Sequence, residues 1–174
     1  MTTNFINNPN HAKGLSTSLK TGLKVIPEDI DGVIILSGSM SRGNDALAAQ
    51  AMGADLAYIG TRFIATEEAN ASDGYKKMIV DSAAADIVYS SLFTGVHGSY
   101  LRGSIEKAGL DPDKLAESKK SKMNFGGAMS KAKAWKDIWG AGQGVGSIHD
   151  IPSVESLVLR MEKEYLSAKD RLGN

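Results

Sequence analysis

The sequence contains no cysteine among its 174 residues. This absence excludes a disulfide framework, a thiolate metal site and a cysteine nucleophile, and it fits the reducing cytoplasm in which we expect the protein. The chain also has no excess of positive or negative charge, because 20 Lys and Arg residues balance 20 Asp and Glu residues. Without a bulk charge to attract them, we expect neither nucleic acid nor a membrane surface as a partner.

Long apolar runs are absent as well. No segment approaches the roughly 20 apolar residues that span a bilayer, and the N-terminus lacks the basic and apolar regions of a secretory signal. The three histidines, His11, His97 and His149, are not at metal-ligand spacing. No Gly-x-Ser-x-Gly motif predicts a serine nucleophile. The residues therefore point to no metal site, and we assign no catalytic residue.

The chain has the length of one domain, and its hydrophobic content of 42% is enough for a core. We expect a single domain over residues 1–174. Its predicted parts are a poorly ordered or weakly helical start (1–30), two βα units (33–83), an appended region with a Gly-rich loop (84–150) and a C-terminal helix (152–169).

A strand, a small polar turn and a helix follow one another from residue 33. Residues 33–36 are apolar and β-branched, which predicts a strand covered on both faces. The helix after the turn has Ser41 or Asn44 as its candidate N-cap and Gly53 as its stop. Such a unit either binds an anion through backbone amides or uses glycine only to turn. The turn consists of Ser37, Gly38 and Ser39.

A second unit of the same kind follows at once. Residues 56–59 predict another buried strand, which ends in Gly60 and Thr61. Two βα units joined this tightly should be parallel neighbours, so their turns should lie side by side at the carboxyl edge of the sheet, where α/β folds bind ligands. A phosphate there would be held by backbone amides and one local arginine.

The appended region predicts further elements. Residues 64–68 read as the start of a helix with Thr66 as its cap, and Ser72 caps the next helix. Residues 86–93 predict a strand, and a helix is expected to begin at residue 99 and end at Gly109. The Gly-rich loop over residues 140–146 is either a flexible linker or a loop that lines a cofactor.

The last helix should bury an apolar stripe and turn Arg160, Lys163 and Glu164 to solvent. The stripe consists of Val154, Leu157, Val158, Met161 and Tyr165. Its end, from Lys169 onward, should fray.

One stretch resembles a known family. Residues 51–68, with their string Gly-Thr-Arg-Phe-x-Ala-Thr-x-Glu, are similar to the nitronate monooxygenases, formerly called 2-nitropropane dioxygenases. Residues 93–95 and the Ala-Gly-Gln-Gly loop at 141–144 also resemble segments of this family, and they occur in the same order along the chain. The resemblance extends over roughly residues 30–166.

The resemblance implies an α/β fold that is the C-terminal portion of a TIM (β/α)₈ barrel, namely its last two βα units plus an appended α/β region. It implies FMN as cofactor and oxidation of alkyl nitronates by molecular oxygen. For Arg62 we favour a structural ion pair over direct contact with the phosphate, and His97 does not match the family's catalytic histidine. The cofactor-binding residues that it implies are Ser37, Gly38, Ser39, Gly60 and Thr61 at the phosphate, with Gln143 and Gly144 near the flavin.

Two classes of function remain open, because a full barrel takes about 250 residues. The chain is either a nitronate monooxygenase-type flavoenzyme, or a piece of one, or else a catalytically inactive half-barrel. The inactive form would bind FMN or another phosphate ligand, or serve as an interaction module. A third interpretation is a barrel fragment that acts on a sugar phosphate or nucleotide. A half-barrel exposes sheet edges, so we expect self-association or a partner chain that covers the open barrel.

Overall fold

A computed structural model describes residues 33–115 and 137–173 of the chain. The predicted start at 1–30 and part of the appended region lie outside the described residues. The chain divides into two compact units, one formed by Met1–Ile59 with Glu155–Asn174 and the other by Gly60–Val154. Compact units are not by themselves independent domains, so the expectation of one domain stays a prediction.

The first unit contains the two strands that the sequence predicts, as parallel neighbours. Strand β1 (Ile35–Ser37) and strand β2 (Leu56–Tyr58) pair with Ile35 opposite Leu56 and Ser37 opposite Tyr58. Helix α1 (Gly43–Ala51) connects them. The carboxyl ends of both strands therefore lie level at one edge of the sheet, as the tight βα spacing indicates.

Glycine ends helix α1 where the sequence places the stop. Gly53 has φ of 92°, and its N–H bonds the carbonyl of Gln50 while the N–H of Ala54 bonds that of Ala49. This is the Schellman arrangement, which favours glycine because the backbone is left-handed there.

The start of helix α1 differs from the prediction. The N-cap residue is Arg42, and neither Ser41 nor Asn44 caps the helix. Instead the Asp45 carboxylate accepts hydrogen bonds from the N–H groups of Ser41 and Arg42, at 2.8 and 2.9 Å. A carboxylate in the first turn satisfies orphan amides and interacts favourably with the helix dipole, which explains why no side-chain hydroxyl is needed.

The two strands are less buried than the apolar runs predict. Val33, Leu56 and Tyr58 are 58%, 55% and 65% exposed. The expectation of strands covered on both faces is therefore wrong for these residues. In the described part of the chain the sheet has two strands, and their exposed side chains have no second layer packed over them.

Helix α2 (Thr61–Ile64), helix α3 (Asp73–Asp81) and helix α4 (Arg102–Lys107) belong to the second unit. Ser72 caps α3 as predicted, because its hydroxyl accepts from the N–H of Tyr75. The helix expected at residues 64–68 does not form. Instead α2 ends at Ile64, and the buried hydroxyl of Thr66 donates to the carbonyl of Phe63.

A hairpin replaces part of a predicted helix in this unit. Strand β3 (Ile87–Ser90), which the sequence predicts, pairs antiparallel with strand β4 (Gly98–Leu101). The helix expected from residue 99 begins only at Arg102, and it stops before Gly109 as predicted. Burial explains the difference, because Tyr100 and Leu101 enter the core from an extended backbone.

The core of the second unit includes the Gly-rich loop. Its larger cluster contains Ala65, Ile79, Leu101, Ala141, Val145 and Ile148. A short 3₁₀ helix, Gln143–Ser147, carries Val145, which is fully buried. The loop is therefore packed, which argues against the flexible-linker interpretation.

Helix α5 (Val154–Gly173) is longer than the predicted range 152–169 and does not fray from Lys169. Leu157 is buried as expected. Glu164 is not turned to solvent, since it is half-buried and its carboxylate accepts from the N–H of Gly43 at 2.8 Å. Among the described residues, no helix is long and apolar enough to cross a membrane.

At Gly43, helix α1 lies against the backbone of helix α5. A methyl group at Gly43 would lie 1.9 Å from the carbonyl oxygen of Met161. We expect Gly43→Ala to lower the free energy of unfolding by about 3 kcal/mol, because backbone cannot move aside cheaply. Urea denaturation measures this. Gly74→Ala is the matched control, since its methyl group meets only the Trp139 ring at 3.4 Å, and no loss of stability is expected. Equal stability of both variants and the wild type would contradict the close contact.

Candidate functional site

The turn after β1 has an unusual backbone. Gly38 has φ of 114° and the next residue, Ser39, has φ of 54°. The left-handed conformation at a serine costs on the order of 1 kcal/mol, and such residues cluster at functional sites. The sequence predicts this turn as a phosphate-binding element, and its geometry is compatible with that prediction.

The first amides of helix α1 are already bonded. Asp45 accepts from the N–H groups of Ser41 and Arg42, and Glu164 accepts from that of Gly43. An anion in the first unit would therefore bind the turn before the helix rather than these three amides. The two carboxylates add negative charge here, and the exposed guanidinium of Arg42, which makes no ion pair with the described residues, offsets part of it.

The hydroxyl of Ser41 has no hydrogen-bond partner among the residues that the structure describes, although Ser41 is only 4% exposed. Buried hydroxyl groups are nearly always paired. The sequence suggested Ser41 only as a cap, and no sequence signal distinguishes a satisfied serine from an orphaned one.

The second turn opens the second unit. A methyl group at Gly60 would meet no protein atom within 4 Å, so the space beside this glycine is open. The hydroxyl oxygen of Thr61 accepts from the N–H of Gly142 at 2.9 Å. This bond joins the Gly60–Thr61 turn to the loop that carries Gln143 and Gly144. The structure thus brings together the four cofactor-binding residues that the sequence predicts in this unit.

Arg62 forms the structural ion pair that the sequence favours. Its guanidinium is 3% exposed and lies 2.7 Å from the carboxylate of Asp150. The same group donates to the backbone carbonyls of Asp150 and Ala65, at 3.0 and 3.3 Å. Arg62 is therefore committed to the protein, which confirms the prediction and leaves direct phosphate contact to other groups.

The rest of the signature string holds the start of helix α5. The Glu68 carboxylate accepts from the N–H of Val154 with both oxygens, and the N–H of Glu67 donates to Pro152. The ammonium of Lys76, which is 7% exposed, donates to the carbonyl of Glu67 at 2.9 Å. These contacts give much of the string a scaffold role.

Tyr75 contacts the start of the Gly-rich loop over residues 140–146. Its ring stacks on Trp139 with centroids 5.1 Å apart, and its hydroxyl donates to the carbonyl of Gly140. The ammonium of Lys107 lies 5.3 Å from the centroid of the Trp139 ring. Burial raises the pKa of the Tyr75 phenol above its usual range. No local pattern predicts the contact between Tyr75 and Gly140, because the two residues are 65 positions apart.

Both histidines in the described part of the chain, His97 and His149, are exposed. His97 is exposed and stacks on Tyr89, with ring centroids 5.0 Å apart. No group of three or more His, Asp or Glu side chains that could hold a metal ion occurs in residues 33–115 and 137–173.

The profile of the nitronate monooxygenase family matches residues 9–164. This chain belongs to the nitronate monooxygenase family. It is 27% identical over 146 residues to a nitronate monooxygenase of Paraburkholderia phytofirmans, covering 80% of this chain and 39% of that protein. It is 26% identical over 181 residues to a Mycobacterium tuberculosis protein named as a monooxygenase, covering 92% of this chain and 48% of that protein. The chain thus spans about half the length of these curated relatives or less.

Solved structures support the fold. The chain resembles a nitroalkane oxidase from Streptomyces ansochromogenes with a TM-score of 0.65 and 23% identity, covering 91% of this chain and 45% of that one. It resembles FabK from Thermotoga maritima with a TM-score of 0.59 and 22% identity, covering 82% of this chain and 47% of that one. The nitronate monooxygenase family and these likenesses assign the chain to part of a TIM barrel.

Loss of the Tyr75 hydroxyl is expected to change the pH dependence of stability. The raised pKa means that the folded state holds the phenolic proton more tightly than the unfolded state. The resulting stabilisation is complete below about pH 10, the ordinary tyrosine value, and is lost as the pH rises through the folded pKa. We expect Tyr75→Phe to be less sensitive to pH above that value, measured by urea denaturation at several pH values. If the free energy of unfolding fell equally with rising pH in the wild type and in Tyr75→Phe, this account would be contradicted. Tyr89→Phe, at an exposed ring, is the matched control.

Proposed function

We propose that this chain is the flavin-binding portion of a nitronate monooxygenase-type oxidoreductase, that its flavin is FMN, and that it works in the cytoplasm. Membership of the family and the barrel fold support an oxidoreductase that uses a flavin. Because the chain spans about half the length of its relatives, the activity of a whole enzyme is part of the proposal.

The turn after β1 is the observation that carries the proposal. A short parallel strand ends in two consecutive residues of positive φ, and a helix of nine residues follows. This is the strand, turn and helix order by which α/β proteins present backbone amides to phosphate groups. Gly38 and Ser39 are thus suited to the phosphate of FMN, with Ser37 at the end of the strand beside them.

The second unit offers an independent argument. Open space beside Gly60 is what a ligand needs for close approach to the backbone. Thr61 accepts one hydrogen bond from Gly142, and a hydroxyl group that accepts one bond can still donate another. Gln143 is exposed and Gly144 is buried, so the glutamine side chain is accessible to a ligand while the loop beneath it is fixed.

A bound flavin would supply the redox chemistry, taking electrons from the nitronate and passing them to oxygen. The role of the described residues in this proposal is to bind FMN and to orient it. None of them is assigned as a general base. An inactive flavin binder therefore remains the alternative. Nitronate-dependent oxygen uptake by the FMN-loaded chain distinguishes the two.

Gly60 provides the test of flavin binding in the second unit. We expect Gly60→Val to abolish FMN binding, because the new side chain fills the space a ligand would use, while the fold is kept because no protein atom lies within 4 Å. Equilibrium dialysis measures the affinity, and circular dichroism checks the fold. Gly173→Val is the matched control, since Gly173 also has open space around it and should bind FMN like the wild type. Unchanged affinity in Gly60→Val would remove Gly60 from the site.

The exposed strand face supports a proposal about partners. Leu56 and Tyr58 leave large apolar surfaces uncovered in the first unit. We propose that another polypeptide surface, from a second copy or a partner chain, covers this face.

Sedimentation tests whether the second copy is the partner. The wild type should associate as its concentration rises, and Leu56→Lys should weaken association because it places a charge in the apolar face. Leu172→Lys, at a side chain that is 78% exposed near the end of α5, is the control and should associate like the wild type. A clean monomer at high concentration would contradict self-association.

A further inference from the structure

We propose that the hydroxyl of Ser41 donates a hydrogen bond to the phosphate of the bound flavin. This assignment rests on the proposed function, and it adds a ligand-binding residue that neither the turn motif nor the family string contains. The acceptor in this assignment is the phosphate monoester of FMN, and FMN and riboflavin are the probes that separate the phosphate from the rest of the flavin.

The first argument is the state of the hydroxyl. Ser41 is 4% exposed, and its oxygen has no hydrogen-bond partner in the described part of the chain. A buried hydroxyl without a partner loses the hydrogen bonds that water would give it, so it destabilises the folded state. Such an atom in a native protein calls for an explanation, and a bound anion is one that fits the location of Ser41.

The second argument is location. Ser41 lies two residues after Ser39, whose backbone is left-handed, and one residue before the N-cap of a nine-residue helix. Its own N–H is already bonded to Asp45, so the hydroxyl is the group of Ser41 that remains to bind a ligand. The carboxylates of Asp45 and Glu164 already bond the amides at this helix N-terminus, so the assignment depends on the hydroxyl group and not on the helix dipole.

The third argument is the kind of group. A hydroxyl can donate to an anion, and hydrogen bonds with an ionised acceptor are stronger than those between neutral groups. The exposed guanidinium of Arg42 follows directly in the chain and adds positive charge. A phosphate therefore suits this position better than a neutral carbonyl group.

A buried serine elsewhere in the chain shows the contrast. Ser104 is 0% exposed, but its hydroxyl donates to the carbonyl of Leu101 at 2.7 Å and accepts from the N–H of Trp139 at 3.0 Å. Ser104 is satisfied within the protein, whereas the hydroxyl of Ser41 has no partner in residues 33–115 and 137–173. The two serines thus form a matched pair for substitution by alanine.

The experiment measures thermal stability and flavin affinity in the full 174-residue chain. For Ser41→Ala without flavin we expect a melting temperature equal to or higher than that of the wild type, because an unpaired buried hydroxyl is removed. Its affinity for FMN should fall about tenfold, as expected when a hydrogen bond to a charged group is lost. Its affinity for riboflavin, which has no phosphate, should not change. Ser104→Ala should instead melt at a lower temperature.

The outcomes separate the assignment from the proposed function. A wild type that binds neither ligand, or binds FMN and riboflavin equally, contradicts both. A wild type that prefers FMN and a Ser41→Ala variant with the same preference contradict the Ser41 assignment alone. A lower melting temperature of Ser41→Ala without flavin also contradicts it, because the hydroxyl would then have a partner within the protein.

Discussion

The buried guanidinium of Arg62 holds the second unit in its shape. A charge that is 3% exposed needs several oxygen partners, and Arg62 has the carboxylate and carbonyl of Asp150 and the carbonyl of Ala65. These contacts fix helix α2 against the segment from residue 150 to the start of α5. The Gly60–Thr61 turn comes directly before Arg62, so its position depends on this ion pair.

This arrangement explains why the family string is recognisable. Within it, Arg62, Thr66 and Glu68 each make a bond inside the protein, and Glu68 also begins the last helix by accepting from Val154. At the Gly60 end of the string, a methyl group on the glycine would meet no protein atom within 4 Å. Most of the family string therefore stabilises the fold. Within it, Gly60 and Thr61 are the residues suited to contact a ligand.

Local sequence signals predicted part of the fold well. Gly53 and Gly109 end helices because their backbones are left-handed, and Ser72 caps α3 by a contact three residues away. The parallel pairing of β1 and β2 follows from the short connection between them. Arg62 was predicted in an ion pair, although its partner lies 88 residues away.

Features that depend on distant residues could not be predicted. Strand β4 was read as a helix, since its extended backbone depends on pairing with β3. Glu164 was placed in solvent because its partner, the N–H of Gly43, is 121 residues distant. The exposure of Leu56 and Tyr58 also escaped prediction, because an apolar strand does not reveal whether a second layer covers it. At the candidate site, residue types indicate the two turns, but only the folded structure distinguishes Ser41, which has no partner among the described residues, from the satisfied Ser104.

The visible absorption spectrum of the purified chain, recorded after addition of FMN and desalting, tests the central claim most directly. If the chain binds FMN through its phosphate, the flavin bands remain with the protein, and riboflavin treated in the same way is removed. A colourless protein after desalting would contradict the account, because the turns would then not hold the flavin.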